Sequence, residues 1–92
     1  MSDTVKITIT IQNRLGLHAR PAMALVDAAN RFESSVNLHK GGQTVDGKSI
    51  MQVMLLAATQ GTNIDVEATG PDAQAAVNEI KALVDRKFDE TE

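Results

Sequence analysis

Three stretches of the sequence alternate apolar and polar residues, a period of two that is typical of strands with one buried face. They span residues 5–11, 34–40 and 62–68, and residues 43–46 form a shorter strand pattern after the turn signal Gly41-Gly42. Because each such strand can bury only one face, the chain must form a sheet whose apolar side is covered by other elements.

Three further segments carry apolar residues at helical spacing and can supply that cover. They span residues 18–32, 49–59 and 71–87, with Pro71 expected at the first position of the last helix and Lys87 on its buried stripe. The order βαββαβα predicts an α+β fold, a four-stranded sheet with the helices on one face. The pattern alone also allows a ferredoxin-like small-ligand regulatory module.

Length and composition narrow the class of protein. The 92 residues fit one domain, residues 1–92, in which the acidic residues 89–92 should be a solvated tail. The chain has no cysteine, which excludes disulfides and thiolate ligands, and its two histidines on separate elements do not predict a metal site. Without a membrane-length apolar run or a signal-peptide pattern, we expect a cytoplasmic protein with no membrane insertion.

Charge is distributed unevenly along the chain. Residues 1–50 carry six basic and four acidic side chains, whereas residues 51–92 carry three basic and eight acidic ones. Aromatic residues make up only 2% of the chain, and none alternates with basic residues, so we expect no nucleic-acid binding. The more basic half favours acidic protein partners.

Residues 16–22, Gly-Leu-His-Ala-Arg-Pro-Ala, carry the candidate chemistry. His18 should lie near the N-cap of the first helix, with Pro21 in the first turn. The free N–H groups of a helix start, here at Ala19 and Arg20, suit a phosphate, and a guanidinium can bind phosphoryl oxygens bidentately. The partial positive charge there disfavours an imidazolium, and a neutral ring nitrogen can attack a phosphoryl donor.

This stretch resembles the active-site signature of HPr, the histidine-containing phosphocarrier family of the bacterial sugar phosphotransferase system. A second stretch, Gly-Lys-Ser-Ile-Met-Gln-Val-Met at residues 47–54, resembles the regulatory serine segment of the same family. The spacing of the two motifs and the length of the chain also fit. The resemblance implies an open-faced β-sandwich, a mainly antiparallel four-stranded sheet with three helices on one face.

The resemblance further implies a phosphoryl carrier, a stoichiometric intermediate rather than a freestanding catalyst, that needs no cofactor and acts as a monomer. His18 would accept the phosphoryl group through Nδ1 from phosphorylated enzyme I, with Arg20 balancing charge, and pass it to IIA components. Ser49 would be phosphorylated by an HPr kinase/phosphorylase, and it is also a good N-cap residue. The implied docking residues are Leu17, Ile50, Met51 and Met54.

A second hypothesis makes the protein mainly regulatory, controlling carbon or nitrogen metabolism by phosphorylation-dependent binding to transcriptional regulators. The presence of His18 argues against a purely regulatory protein that lacks the nucleophile. The ferredoxin-like alternative explains the strand order but leaves both motifs without a role.

Overall fold

A computed structural model describes residues 3–90, which form one four-stranded sheet and three α-helices. The sheet has the strand order β1-β4-β2-β3, and all three neighbouring pairs are antiparallel. The predicted order βαββαβα and the open-faced α+β architecture are confirmed. The elements are β1 (Asp3–Thr10), α1 (Ala19–Asn30), β2 (Ser35–Lys40), β3 (Gln43–Asp46), α2 (Ile50–Leu55), β4 (Asn63–Gly70) and α3 (Ala73–Asp85).

The predicted alternation divides the sheet into an apolar face under the helices and a polar face. Leu38 pairs with Val66 on the inner side, and both are fully buried. On the outer side the hydroxyl of Thr8 donates to Asp65 at 2.6 Å. His39 lies on this polar face, as expected, where its Nε2 is 3.0 Å from Oε1 of Glu67. The helices and the loops at their ends are therefore what position the candidate site.

Helix α3 begins later than the sequence pattern predicts. Its N-cap is Asp72, so Pro71 precedes the helix instead of occupying its first position. The carboxylate of Asp72 accepts hydrogen bonds from the backbone N–H groups of Glu33 and Ser34 at 3.0 and 2.9 Å, and from the Ser34 hydroxyl at 2.6 Å. These bonds to the loop after α1 hold Asp72 outside the helix.

The chain reverses after α3 through a short turn, Lys87–Asp89. Lys87 is exposed, contrary to prediction, and Phe88 continues the buried stripe one turn beyond Val84. Lys87, Phe88 and Asp89 have φ angles of 56°, 56° and 61°. This left-handed conformation costs L-residues roughly 1 kcal/mol or more each, which burial of the Phe88 ring offsets.

The prediction that residues 89–92 form a solvated tail is wrong for Glu90. The side chain of Glu90 is only 15% exposed, because the turn directs it toward the start of α1. Asp89 is exposed as predicted, and residues 91 and 92 lie outside the described part of the chain.

Helix α2 is shorter than predicted and ends at Leu55. The ammonium group of Lys40 donates to the carbonyl of Leu56 at 2.7 Å, and Ala57 has a φ of 49°, which ends the helical path. The carbonyl of Ala58 then accepts a bond from the N–H of Leu17 at 2.8 Å. Tertiary partners, rather than local propensity, therefore determine where α2 stops. None of the helices within residues 3–90 is long and apolar enough to span a bilayer.

Candidate functional site

His18 is the N-cap of α1, as predicted, and its side chain is 37% exposed. The ring makes no capping bond, and within residues 3–90 its Nδ1 has no hydrogen-bond partner. The backbone N–H groups of Ala19 and Arg20 likewise have no acceptor in the described chain, because they belong to the first turn. An accessible imidazole therefore lies beside two unpaired donors at the positive end of a helix dipole.

The loop before His18 is held against the segment that follows α2. Gly16 has a φ of 68°, and a Cβ atom there would collide with the carbonyl oxygen of Ala58 and lie 2.8 Å from Cα of Thr59. Leu17 bonds to Ala58 through its N–H, and its side chain is only 4% exposed. The predicted docking role of Leu17 is therefore wrong: the residue anchors the loop in the core and offers no surface to a partner.

Two residues that the sequence interpretation did not single out complete the site. Nε2 of His18 lies 2.9 Å from Oε2 and 3.2 Å from Oε1 of Glu90. Asn13 is fully buried, and its Nδ2 donates to the carbonyl of Gly16 at 2.7 Å and to Glu90 at 3.0 Å. The sequence did contain one signal for this turn. Phe88 follows Val84 at i,i+4 spacing, which could have predicted that the chain stays packed on the core as far as Phe88.

Arg20 is exposed in the first turn of α1. Its guanidinium makes no hydrogen bond or ion pair with any other residue in the range 3–90. Its position two residues after His18 keeps the cation near the ring and leaves its five donors available to an incoming anion. Its predicted role in charge balance stays a prediction.

Ser49 is the N-cap of α2, where its hydroxyl accepts a hydrogen bond from the N–H of Gln52 at 3.3 Å. Next to it, the carbonyl of Lys48 accepts a bond from Nδ2 of Asn30 at 3.1 Å, which places Ser49 beside the C-terminal end of α1. A helix of 12 residues is about 18 Å long, and His18 caps its other end. The structure therefore does not bring Ser49 and His18 together.

Large apolar side chains are exposed on the elements around the site. Met51 is the most exposed of them, at 78%. Helices α1 and α2 pack against each other, so these side chains flank the elements that carry His18. Methionine-rich surfaces adapt to partners, and exposed apolar groups often mark interaction sites. We call this set the exposed apolar residues: Leu15, Met23, Ile50, Met51, Met54 and Leu55.

No group of three or more histidine, aspartate or glutamate side chains in residues 3–90 is arranged to hold a metal ion. The groups available for chemistry at the site are thus an imidazole, backbone donors, a guanidinium and one carboxylate.

Comparison with known proteins agrees with this arrangement. A family model described as the phosphorylation site of the PTS HPr component matches residues 5–86. The chain is 46% identical over 83 residues to phosphocarrier protein HPr of Cupriavidus necator, covering 90% of this chain and 93% of that protein. It is 44% identical over 84 residues to phosphocarrier protein NPr of Proteus mirabilis, covering 89% and 92%. The crystal structure of HPr-C-His from Thermoanaerobacter tengcongensis matches with a TM-score of 0.92 at 38% identity, covering 96% of this chain and 99% of that one.

The region matched by the family model includes the histidine motif, the serine segment and the sheet except for the first two residues of β1. Fold, site and relatives together define a phosphocarrier of the phosphotransferase system. The chain belongs to the HPr family, which confirms the resemblance seen in its two motifs.

Proposed function

We propose that the protein accepts a phosphoryl group on His18 from phosphorylated enzyme I and donates it to IIA components. The observation that carries the proposal is the environment of the ring, which is partly exposed at the start of α1 with Nδ1 unbonded among residues 3–90. A nucleophile in this position needs no activation by deprotonation, because the lone pair of Nδ1 is already available.

The transfer step follows from the groups around the ring. The lone pair of Nδ1 forms a bond to phosphorus while the bond from phosphorus to the donor atom breaks and returns its electron pair to the donor. Phosphoryl transfer passes through a loose transition state with charge on the three equatorial oxygens. The N–H groups of Ala19 and Arg20 and the guanidinium of Arg20 are the donors that can bind those oxygens.

Docking would use the exposed apolar residues rather than the ring alone. The docking residues that the resemblance implies on α2, Ile50, Met51 and Met54, are all exposed, and the adjoining helix adds Met23. The basic excess of residues 1–50 favours enzyme I and IIA surfaces that combine apolar and acidic groups. We expect a monomer in solution, since self-association through this surface would compete with docking. Sedimentation equilibrium would test that expectation.

The test of the carrier function is phosphorylation by purified enzyme I and phosphoenolpyruvate, followed by intact mass measurement. The wild-type protein should gain one acid-labile phosphoryl group. The His18→Ala variant should gain none, and His39→Ala, which removes the other histidine, should react like the wild type. A wild-type protein that stays unmodified, or a His18→Ala variant that is still modified, would refute the function.

We also propose Ser49 as a second, regulatory phosphorylation site for an HPr kinase/phosphorylase. Its hydroxyl is partly accessible and forms one long bond, to the N–H of Gln52. A phosphate at this position would meet the first N–H groups of α2, which tolerate negative charge. Incubation with such a kinase and ATP should modify the wild type and leave Ser49→Ala unmodified. Modification of both proteins would assign the phosphate to another residue.

A further inference from the structure

The hairpin formed by β2 and β3 reaches across to the end of α2. Lys40, the last residue of β2, is half-buried, and its ammonium group donates to the carbonyl of Leu56 at 2.7 Å. Nε2 of Gln43, the first residue of β3, lies 3.5 Å from the preceding carbonyl oxygen, that of Leu55. A cation suits this end of a helix, because the last carbonyls have no partner within the helix. Lys40 is therefore placed to hold the end of α2 in position.

The bond from Lys40 is made where the chain turns sharply. Leu56 is the C-cap of α2, and the next residue, Ala57, has a φ of 49°. This left-handed conformation is unfavourable for an L-residue, so neighbouring contacts must hold the turn. Lys40 binds the carbonyl before Ala57, and the N–H of Leu17 donates at 2.8 Å to the carbonyl after it, that of Ala58. The turn is thus fixed from the sheet on one side and from the loop before α1 on the other.

The loop that carries His18 rests on the same turn. A Cβ atom at Gly16 would collide with the carbonyl oxygen of Ala58, so the two backbones are in direct contact. His18 comes directly after Leu17, whose N–H bonds to that carbonyl. If Ala57 relaxed toward a right-handed conformation, the carbonyl of Ala58 would move and the loop would lose its support. The position of the ring relative to α2 therefore depends on this turn.

We propose that Lys40 is a positioning residue for phosphoryl transfer, which fixes the turn after α2 and through it the position of His18 relative to the exposed apolar residues. The inference rests on the proposed carrier function and adds to it a residue outside the site. A partner that docks on α2 must meet the ring at one fixed place, because a small displacement of the reacting groups slows transfer strongly. The ammonium group of Lys40 takes no part in the transfer itself.

The test uses three single variants. Lys40→Met keeps the length of the side chain and removes the ammonium group, whereas Lys40→Arg keeps a cation that can donate to the same carbonyl. Lys48→Met is the matched control, because Lys48 makes the same kind of bond just after the end of α1, to the carbonyl of Phe32 at 2.7 Å. Each of the two methionine variants removes one positive charge from residues 1–50.

The first measurement is the NMR coupling across the hydrogen bond from Leu17 to Ala58, which decreases as the bond lengthens. Lys40→Met should weaken this coupling, whereas Lys40→Arg and Lys48→Met should keep the wild-type value. The bond from Ile11 to Thr62, 2.9 Å long, is the internal reference and should stay the same in every variant. Because the coupling is measured on folded molecules, a variant that is only less stable would leave both bonds unchanged.

The second measurement is the rate of phosphorylation by enzyme I over a range of protein concentrations. Lys40→Met should lower kcat by about threefold to tenfold, because the ring is presented less accurately. A rise in KM that Lys48→Met shares would reflect the lost charge, which steers association, whereas the fall in kcat should be confined to Lys40→Met. Lys40→Arg should keep kcat within about twofold of the wild-type value.

The outcomes separate the two proposals. If the wild type is phosphorylated on His18 and Lys40→Met keeps either its Leu17 coupling or its kcat, the positioning role is refuted and the carrier function stands. An equal fall in kcat in Lys48→Met would refute the positioning role as well, because the lost charge alone would then explain the effect. If the wild type itself is never phosphorylated, the carrier function fails and the role of Lys40 in transfer fails with it.

Discussion

Arg20 has an exposed side chain and, in the described chain, no intramolecular partner for its guanidinium. Arg20→Ala should therefore change the free energy of unfolding by less than about 1 kcal/mol. It should slow phosphorylation by enzyme I by about tenfold to a hundredfold, because a donor to the transition-state oxygens is lost. Rapid-quench kinetics and thermal melting measure the two effects separately.

The control for Arg20 lies at the other end of the same helix. Arg31 is the C-cap residue of α1 and is exposed, with its guanidinium 3.7 Å from a carboxylate oxygen of Glu79. Arg31→Ala removes the same charge from the same helix without touching the site, so its phosphorylation rate should stay unchanged. If both variants were slowed equally relative to the wild type, net charge rather than the position of Arg20 would be what matters.

Gly16 is required for the loop that carries His18. Gly16→Ala should destabilise the protein by at least about 2 kcal/mol, because a left-handed φ and a backbone collision with Ala58 add together. Gly41→Ala is the matched control, since Gly41 has a φ of 58° but nothing within 4 Å of its Cβ position. That variant should lose only about 1 kcal/mol. Urea denaturation measures both, and similar losses would contradict the collision.

At the residue scale, the sequence located the candidate histidine and both helix caps but not the contacts made across the fold. His18 and Ser49 were placed correctly because a cap is a local feature of a strand-to-helix or loop-to-helix junction. Leu17 was misplaced because its burial depends on Ala58, and Glu90 was missed because its partner lies 72 positions away. Pairings at such distances leave no periodic signal in one sequence.

Helix α2 couples the serine segment to the exposed apolar residues. A charge on Ser49 cannot act directly on His18, because the roughly 18 Å length of α1 exceeds the screening length of about 8 Å. It can act on docking, since Ile50 and Met51 follow directly. Ser49→Asp should keep or slightly raise the melting temperature and lower the rate of phosphorylation by enzyme I.

Ser49→Asn separates the charge from the cap. Asparagine also caps helices and differs from aspartate only by its neutral amide, so this variant should react with enzyme I as fast as the wild type. If Ser49→Asp also reacts at the wild-type rate, the docking argument fails and Ser49 is left with its structural role.

At the element scale, helix and strand types were predictable but several ends were not. The alternating strands were placed within two residues of their observed bounds. The end of α2 was predicted four residues too late, because Lys40 and the loop at Leu17 capture the carbonyls that would have continued it. The start of α3 depends in the same way on Asp72 and its bonds to the loop after α1.

For the whole molecule, Asp72 makes stability depend on pH. The hydroxyl of Ser34 and the backbone N–H groups of Glu33 and Ser34 lower the pKa of the Asp72 carboxyl from its ordinary value of 3.8. A pKa lowered by folding means that the carboxylate adds stability above pH 3.8, and that this stability is lost as the pH falls through the folded-state pKa. Asp72→Asn should therefore melt below the wild type at pH 7, and the difference should shrink in acid.

The control for Asp72 is Asp27→Asn, which changes an exposed carboxylate on α1. Its melting temperature should follow that of the wild type at every pH. A difference in melting temperature between Asp72→Asn and the wild type that stays constant down to pH 2 would contradict the pKa assignment.

The global fold was predictable from the sequence because strands with one apolar face leave few ways to cover the sheet. Loop contacts such as those of Asp72 were not predictable, because they depend on the completed fold.

The bond from the N–H of Leu17 to Ala58 has a consequence for hydrogen exchange. It continues a set of backbone bonds next to the sheet, in which Ile11 donates to Thr62 and accepts from Gly61. The Leu17 amide should therefore exchange with solvent only in rare, large openings, whereas the amide of Ala19, unpaired within residues 3–90, should exchange at nearly the unprotected rate. Amide exchange followed by NMR measures both, and similar rates would contradict this. We therefore expect His18 to lie between a backbone amide that exchanges slowly, at Leu17, and one that exchanges freely and can bind an anion, at Ala19.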